Sequence, residues 1–459
     1  MSARAFSPTQ RMARLALGAL ASSLALSACE PELGELPATC DASAGAEACP
    51  EGYECIQGVC AAPGTAIPAT LATLQYLRGV DLRLVPLEGG ALAVWQVYDY
   101  DLEEHDFVAV RLDASGGVSA QLTLVGAYPS NANYLEPYFD VLATGPTNLH
   151  LSIGAAPFDD DPESRLDHYT VSLPPAGREA EGATSEQRWS LRLRTLGYGA
   201  VSRPRLQLRA DGVELAYFES LVSDLETLGE LSVFQLDAAG ERKAAPTCTS
   251  PECCQADTCT PARAGSTVAI GVVDSFRVAD STYWVLDETR PSFLRQPDEP
   301  TGVYAEGALP RLAVPVAAEA SALVYVQPSA RAGEGLATDP VSGNATLWRL
   351  PIDAAGTPGA AQALGELPSM RDTPRPVWIA REGKPALLVT PGTELAAPTI
   401  RVYAIDPGAG ATLVAEVERY SSVPVAAVQA TLVAGKLYLA WVDEQTDSAT
   451  IRAAVIDEP

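Results

Sequence analysis

The chain has few histidines, few methionines and little positive charge. Its 459 residues include three His, three Met and 31 Lys plus Arg against 58 Asp plus Glu, which gives a formal net charge of −27. So acidic a balance lacks the basic footprint that binds phosphate backbones, and this excludes nucleic acid as a partner. It also disfavours a purely electrostatic attachment to anionic lipid. Acidic residues spread in this way are typical of a soluble, exported surface.

Recognisable catalytic motifs are also missing. The sequence has no G-x-S-x-G elbow, no H-E-x-x-H zinc helix and no glycine-rich phosphate loop. Acid–base chemistry by histidine would have to use His105, His150 or His168, none of which lies in such a motif, and His150 stands within an apolar strand pattern. The sequence therefore favours a binding or scaffold protein over an enzyme, and it predicts no cofactor apart from possible calcium.

The N-terminus has the pattern of an export signal. Arg4, Arg11 and Arg14 precede an apolar run from Leu15 to Leu26, with no acidic residue among them. A run of this length is too short for a bilayer core, which needs about 20 residues in a helix. We therefore expect residues 1–28 to be a cleaved leader.

The tetrapeptide Leu26-Ser27-Ala28-Cys29 resembles the lipobox of bacterial lipoproteins. The resemblance implies a diacylglycerol thioether on Cys29 and an acyl chain, such as palmitate, on its new amino group. Two or three chains together hold a protein stably on a membrane. Glu30, rather than Asp, follows the cysteine, and in Gram-negative lipoproteins this implies the outer membrane. The alternative is an ordinary cleaved signal, after which Cys29 pairs with another thiol.

The other eight cysteines form two clusters of four. Disulfides are favoured over zinc in both clusters, because the chain is exported and the C-x2-C spacing of zinc sites is missing. Each cluster allows three pairings, which spacing alone does not decide. The first cluster belongs to a predicted lipidated stalk, residues 29–65, and the second to an insertion around residues 244–264 of the domain that follows. The cysteines are Cys40, Cys49, Cys55 and Cys60 in the first cluster, and Cys248, Cys253, Cys254 and Cys259 in the second.

A strand pattern recurs through residues 66–459. Apolar residues alternate up to a turn, often with aspartate, and these turns fall near residues 113, 174, 237, 298, 353, 406 and 457. Three of the turns continue as Asp-Ala-x-Gly, at Asp113, Asp237 and Asp353, and this sequence favours a hairpin. A second apolar strand precedes every turn. A third precedes that one, and in five repeats it follows a proline, at Pro137, Pro204, Pro310, Pro376 and Pro424.

Seven such units, each with three or four short strands, resemble a seven-bladed β-propeller of four-stranded sheets. The predicted fold class is therefore all-β, with a propeller over residues 66–459 and a small disulfide-rich module before it. The alternative is a series of β-sandwich domains. Because the last repeat ends at Asp457 and a strand-like run, Ala69 to Leu77, precedes the first, we expect that run to complete the last blade as its outer strand.

Two acidic loops join the second and third strands of the first two repeats. Converging carboxylates could bind a hard cation, although no EF-hand spacing is present and charged loops are usually only solvated. The first loop carries Asp99, Asp101, Glu103, Glu104 and Asp106, and the second Asp159, Asp160, Asp161, Glu163 and Asp167. The weak calcium candidates are Asp99, Asp101, Asp159, Asp160 and Asp161.

The sequence as a whole predicts a lipid-anchored propeller of the cell envelope that binds an envelope or extracellular protein or glycan. One alternative is a propeller hydrolase or lyase acting on polysaccharide, with carboxylates such as Asp101 or Asp160 as acid and base. The other is an outer-membrane assembly factor, suggested only by architectural analogy.

Overall fold

The structure is a computed structural model. It describes residue 49 and residues 54–56, 59–61, 66–75, 80–99, 102, 104–129, 137–155, 165–192, 204–209, 212–222, 227–243, 271–278, 281–287, 292–296, 304–305, 314–319, 322–328, 345–353, 357–367, 374–392, 398–406, 409–419, 421, 423–445 and 448–459.

The chain divides into two compact units, residues 1–67 and residues 68–459. In the first unit, β1 (Glu54–Ile56) pairs antiparallel with β2 (Val59–Ala61). A disulfide joins Cys49 to Cys60, with 5.4 Å between their Cα atoms. This bond selects one of the pairings that the spacing of the first cluster left open.

The described strands of the second unit form seven antiparallel sheets, or blades, in chain order. Blade 1 consists of β4 (Leu82–Leu87), β5 (Gly90–Asp99), β6 (Glu104–Asp113) and β7 (Leu122–Pro129). Blade 2 consists of β8 (Tyr138–Ala143), β9 (Asn148–Ala155), β10 (Arg165–Ser172) and β11 (Thr184–Arg192). Blade 3 consists of β12 (Arg205–Arg209), β13 (Gly212–Val222) and β14 (Thr227–Leu236).

Blade 4 consists of β15 (Gly271–Val278), β16 (Ser281–Asp287), β17 (Ser292–Gln296) and β18 (Tyr304–Ala305). Blade 5 consists of β19 (Val314–Glu319), β20 (Ala322–Pro328), β21 (Ala345–Pro351) and β22 (Gln362–Leu367). Blade 6 consists of β23 (Val377–Ile379), β24 (Ala386–Pro391), β25 (Thr399–Asp406) and β26 (Gly410–Glu418). Blade 7 is β27 (Val425–Val433), β28 (Lys436–Gln445), β29 (Ser448–Asp457) and β3 (Ala69–Gln75).

The first strands of the blades form a closed ring. Each contacts the first strand of the next blade, from β4 to β8 and onward to β27, which contacts β4 again. Sheets arranged radially in this way are a β-propeller, as the repeats predict. Six blades have four described strands and blade 3 has three, so the predicted seven units are confirmed. Of the five prolines expected to precede a first strand, four do so directly, whereas β19 begins four residues after Pro310.

The ring closes as the sequence predicts. The run that precedes the first repeat forms β3, and β3 pairs antiparallel with β29, with Ala449 opposite Leu74 and Thr450 opposite Thr73. Blade 7 therefore takes its outer strand from the start of the domain and its other three strands from the end. This pairing covers an edge of β29 that would otherwise expose backbone donors and acceptors.

Each described blade core packs on both of its faces, because side chains alternate along a strand. In β5, Leu92 and Val94 pack towards blade 2, while Ala93 and Trp95 pack towards blade 7. The hydrophobic core is therefore a set of seams between neighbouring blades. Clusters of buried apolar residues fill the described seams between blades 1 and 2, 2 and 3, 5 and 6, 6 and 7, and 7 and 1.

The predicted aspartate hairpin of blade 1 joins its third strand to its fourth, and the hairpin at Asp237 follows the third strand of blade 3. In the first of them, Asp113 Oδ1 accepts hydrogen bonds from the amides of Ser115 and Gly117, at 2.8 and 2.9 Å, and Gly116 has φ of +84°. Asp237 makes the same pair of bonds to residues 239 and 241. The turn chemistry inferred from Asp-Ala-x-Gly is therefore confirmed.

Candidate functional site

The candidate site lies in blades 1 and 2, at the end of the propeller that carries the connections from second to third strands. We call this the upper end. Because strands alternate in direction, the first strands also begin there, and the predicted acidic loops are the upper-end connections β5–β6 and β9–β10. The aspartate hairpins lie at the opposite, lower end. At the upper end, charged side chains at the starts of the first strands of the two blades contact each other.

Arg83 is the centre of this group. Its Nη1 lies 2.7 Å from Asp81 Oδ1 and its Nε lies 2.9 Å from Asp140 Oδ1, while Nη2 donates to the Phe139 carbonyl at 3.0 Å. The guanidinium also lies over the Phe139 ring, 5.6 Å from its centroid. Only 14% of the Arg83 side chain is exposed. One arginine therefore bridges a carboxylate directly before the first strand of blade 1 and one on the first strand of blade 2.

Asp140 extends this bridge to a third blade. Its Oδ2 accepts a hydrogen bond from the Leu206 amide at 2.7 Å, where β12 begins blade 3. Burial alone would lower the pKa of Arg83, but the carboxylates of Asp81 and Asp140 outweigh burial and raise that pKa. Arg83 therefore keeps its positive charge between the negative charges of Asp81 and Asp140, and the three side chains form a dense hydrogen-bonded cluster.

Asp167 is buried between the outer parts of blades 1 and 2. Its Oδ2 accepts from the Tyr128 hydroxyl at 2.7 Å and its Oδ1 from Gln187 Nε2 at 3.1 Å. Burial, together with the negative charge of Asp167, raises the pKa of Tyr128 well above its usual value. The Arg165 guanidinium lies 5.9 Å from the Tyr128 ring centroid. Asp167, one of the sequence's loop carboxylates, therefore holds two blades together.

His105 is the second residue of the third strand of blade 1 and is buried beside Tyr98, with 4.8 Å between ring centroids. Burial lowers the pKa of His105 to about 4, so the imidazole is neutral at pH 7. Its neighbour Asp106 accepts a hydrogen bond from the Ala127 amide at 2.9 Å, where the backbone has φ of +53°. These two residues shape the upper end of blade 1.

The structure describes one of the weak calcium candidates. Asp99 is exposed, and its Oδ1 accepts from the Leu102 amide at 3.2 Å. Asp101, Asp159, Asp160 and Asp161 lie outside the described residues, as do Cys29, Cys40 and the second cysteine cluster. Within the described ranges, no three Asp, Glu, His or Cys side chains are grouped so that they could hold a metal ion. Calcium binding stays a prediction.

Sequence reasoning did not single out Asp81, Arg83 and Asp140. A signal was present in the strand patterns, because Arg83 stands in Leu-Arg-Leu-Val and Asp140 in Phe-Asp-Val, where a charge interrupts an apolar run. A charge at such a position needs a partner when it is buried. Asp81 is two residues from Arg83, but the other carboxylate partner, Asp140, is 57 residues away along the chain, so only the fold reveals the bridge between blades.

No protein family and no curated protein matches the chain. Among solved structures it is similar to a Trypanosoma rangeli sialidase in complex with sialic acid, at 11% identity and a TM-score of 0.44, over 86% of this chain and 59% of that one. It is also similar to a Penicillium chrysogenum alpha-L-arabinanase complexed with arabinobiose, at 14% identity and a TM-score of 0.39, over 86% and 99%.

The β-propeller domain of the Trilobed protease from Pyrococcus furiosus is similar at 7% identity and a TM-score of 0.40, over 84% of this chain and 97% of that one. The present chain spans about three fifths of the sialidase's length. The propeller assignment follows from the sheet order and the ring of first strands, and no activity passes to this chain with these names. In the part of the chain that the structure describes, no helix has the length and apolar character to span a membrane.

Proposed function

We propose that this protein is a lipid-anchored propeller of the cell envelope that binds a glycan at the upper end of blades 1 and 2. The observation that carries the proposal is the Arg83 bridge to Asp81 and Asp140, which fixes the upper ends of the first strands of blades 1 and 2 and so gives the exposed polar groups around them a rigid base. Sugars offer many hydroxyl groups that both donate and accept. Such ligands suit a site whose polar groups are already oriented.

The charge of the chain narrows the class of glycan. A net charge of −27 repels acidic polysaccharides at a distance. The partly or fully exposed acidic residues at the same end, Asp99, Glu104 and Asp106, add acceptors but no positive charge. We therefore expect a neutral glycan rather than an acidic one.

The test is calorimetric titration of the purified chain with neutral oligosaccharides of several linkages. The upper-end variants Asp99→Asn and Glu104→Gln should weaken binding by about tenfold, which corresponds to one or two lost hydrogen bonds. The matched control is Glu181→Gln in the 3-10 turn Glu179–Glu181 at the lower end, which should leave binding unchanged. No binding of any neutral glycan, or an equal loss in the control, would contradict the proposal.

A second candidate function is cleavage of a glycan by a hydrolase or lyase reaction. The observation that favours it is the pair of carboxylates, Asp81 and Asp140, held on one guanidinium, because glycoside hydrolysis usually needs two carboxyl groups near the bond that breaks. Chromatography of oligosaccharides incubated with the chain tests this candidate. The enzyme is supported if the chain cleaves the oligosaccharides and Asp140→Asn abolishes this turnover without changing the thermal unfolding profile. Binding without turnover would support the glycan-binding function.

The lipid anchor is a separate part of the proposal. It is supported by Leu26-Ser27-Ala28-Cys29 after an apolar leader. Mass spectrometry of the protein purified from membranes should find an N-terminus at Cys29 with the mass of a diacylglycerol and an acyl chain. Cys29→Ser should release the protein from the outer-membrane fraction. An unmodified Cys29 in the mature protein would contradict the anchor.

A further inference from the structure

The seam between blades 2 and 3 contains a buried polar cluster beside its apolar one. In blade 2, the face towards blade 3 carries His150 and Ser152 on β9 and His168 on β10, where Ser152 is the cross-strand partner of His168. His150, Ser152 and His168 have 1%, 0% and 0% of their surface exposed. Two of the chain's three histidines thus lie in one seam that water does not reach.

The two imidazoles contact each other directly. His150 Nδ1 lies 3.1 Å from His168 Nε2, and the other ring nitrogen of His168 lies 2.8 Å from Ser152 Oγ. Within the first contact, one nitrogen must donate and the other accept, so the accepting nitrogen must carry no proton and the two rings cannot both be charged. A proton added to the accepting nitrogen would set two N–H groups against each other.

Blade 3 seals the pair. Its hairpin places Gly240 so close that an added Cβ would lie 2.8 Å from Thr170 Cγ2 and 3.1 Å from His168 Nε2. Trp189 stacks on His168 with 5.2 Å between ring centroids, and its Nε1 donates to the Gly240 carbonyl at 3.0 Å. The seam therefore leaves no space for a counter-ion unless the hairpin moves away.

The charged groups around the pair come from both blades. Blade 2 contributes Asp140, Glu186 and Arg188, which lie on the same face as the pair. Blade 3 contributes Asp237, Glu241 and Arg242 of its hairpin. Asp237 favours protonation of His150, while Arg188 opposes it for both rings. Asp237, a carboxylate that favours the charged form of His150, thus lies on the hairpin itself.

We propose that this seam is a pH-sensitive contact, in which protonation of the His150–His168 pair loosens the hairpin of blade 3 from blade 2 while the apolar seams between other blades stay closed. A charged imidazole beside Arg188 needs water, and water enters only when Gly240 withdraws. The contact is independent of the proposed function. It is a local opening, because the ring of first strands joins the blades elsewhere.

Hydrogen exchange at about pH 7.5 and pH 5, corrected for the intrinsic pH dependence, tests the proposal. Amides of β10 and of residues 237–243 should lose protection by about tenfold for each pH unit below 6.5, as one proton uptake per opening requires. Amides of β24 and β28, whose seam contains none of the chain's three histidines, should change far less. Equal losses in the two seams, or no loss in the blade 2–3 seam, would overturn the proposal.

His168→Gln should remove most of the pH dependence at residues 237–243, whereas His105→Gln, which removes the third histidine, should leave it intact. If His168→Gln does not fold, NMR titration of the unaltered chain decides. His105→Gln identifies the resonances of the other two histidines. Titration of both near the ordinary value of about 6.5 would overturn the proposal, and depressed titration that coincides with the loss of protection would support it.

Discussion

A buried ion pair connects blade 7 to blade 6, and a hydrogen bond connects the same group of charges to the outer strand of blade 7. Asp443 Oδ1 lies 2.6 Å from Arg419 Nη2, and Asp443 Oδ2 lies 3.0 Å from Arg452 Nε, which in turn places its Nη1 3.3 Å from Thr70 Oγ1 of β3. Only 2% of the Asp443 side chain and 4% of the Arg419 side chain are exposed. The carboxylate compensates two arginines at the point where the ring closes.

Asp443→Asn should destabilise the chain by about 3 kcal/mol, because it leaves a buried arginine without its counter-charge. Urea unfolding at neutral pH measures the loss. The matched control is Asp457→Asn, which removes the pair with Lys436 at the lower end of the same blade. Asp457 is 86% exposed, so the control should cost less than about 1 kcal/mol. Equal losses would contradict the assigned burial.

Two glycines at equivalent hairpin positions differ in their surroundings. Gly116 and Gly240 have φ of +84° and +81°, so a side chain strains either turn. An added Cβ at Gly116 meets nothing within 4 Å, whereas at Gly240 it meets Thr170 and His168 of the neighbouring blade. The positive φ of the turn favours glycine at both positions, and the close contacts with blade 2 also require glycine at Gly240.

Gly116→Ala should therefore cost about 1 to 2 kcal/mol from backbone strain alone, and Gly240→Ala should cost more because the hairpin must also shift. Thermal unfolding of the two variants against the parent measures the difference. If both variants lose the same stability, then the blade 2–3 seam is not as close as the Gly240 contacts indicate.

At the scale of elements, each central strand serves two seams. In β28, Leu439 and Trp441 pack towards blade 6, while Tyr438, Ala440 and Val442 pack towards blade 1. A strand buried on both faces reads as a continuous apolar run rather than an alternating one. The apolar second strands of the repeats have this pattern, so the sequence revealed their positions reliably.

Deletion of residues 66–79 should lower the melting temperature, because it removes β3 and exposes the edge of β29. Calorimetry measures the shift. If the deleted chain does not fold, point variants of β3 decide. Leu74→Ala should cost about 2 kcal/mol, since Leu74 is 8% exposed and packs in the seam between blades 7 and 1. Thr73→Ala, at an exposed position of the same strand, should cost little. Unchanged stability in both the deletion and Leu74→Ala would contradict the closure.

At the scale of the whole molecule, three buried histidines link stability to pH. Burial lowers the pKa of His105 to about 4, that of His168 to about 3, and that of His150 below its usual value. A histidine whose pKa is lowered by folding contributes its full stability to the folded state above its unfolded pKa, about 6.5. That stability is lost as the pH falls from the unfolded pKa towards the folded pKa.

The free energy of unfolding should therefore fall as the pH drops below 6.5, by up to about 1.4 kcal/mol per pH unit each for His105 and His168, whose folded pKa values lie below this window. His150 adds a loss in the same direction. Carboxylates with lowered pKa values, such as Asp113, add their loss only below about pH 4. Urea unfolding at about pH 7 and pH 5 isolates the histidines, and His105→Gln should give a shallower slope. A stability that is flat across this window would contradict the burial of all three residues.

How much could be predicted from the sequence differs between the fold and the site. The aspartate hairpins, the second strands and the closing strand are local patterns, since turn chemistry and alternation act within a few residues. The acidic loops were assigned to the correct connections. Yet Asp167, counted among their carboxylates, bonds Tyr128 inside a seam, because Asp167 lies within β10 and its side chain is on the face of that strand towards blade 1.

The amino-acid sequence by itself determined the repeats, their number and the strand that closes the last blade, because each depends on periodicity and on turn residues that are close along the chain. Only the tertiary structure decided which charges meet. Arg83 and Asp140, Tyr128 and Asp167, and Asp443 and Arg419 are each separated by more than 20 residues. Their pairing follows from how blades stack, since a buried charge or hydroxyl finds its partner on the next sheet.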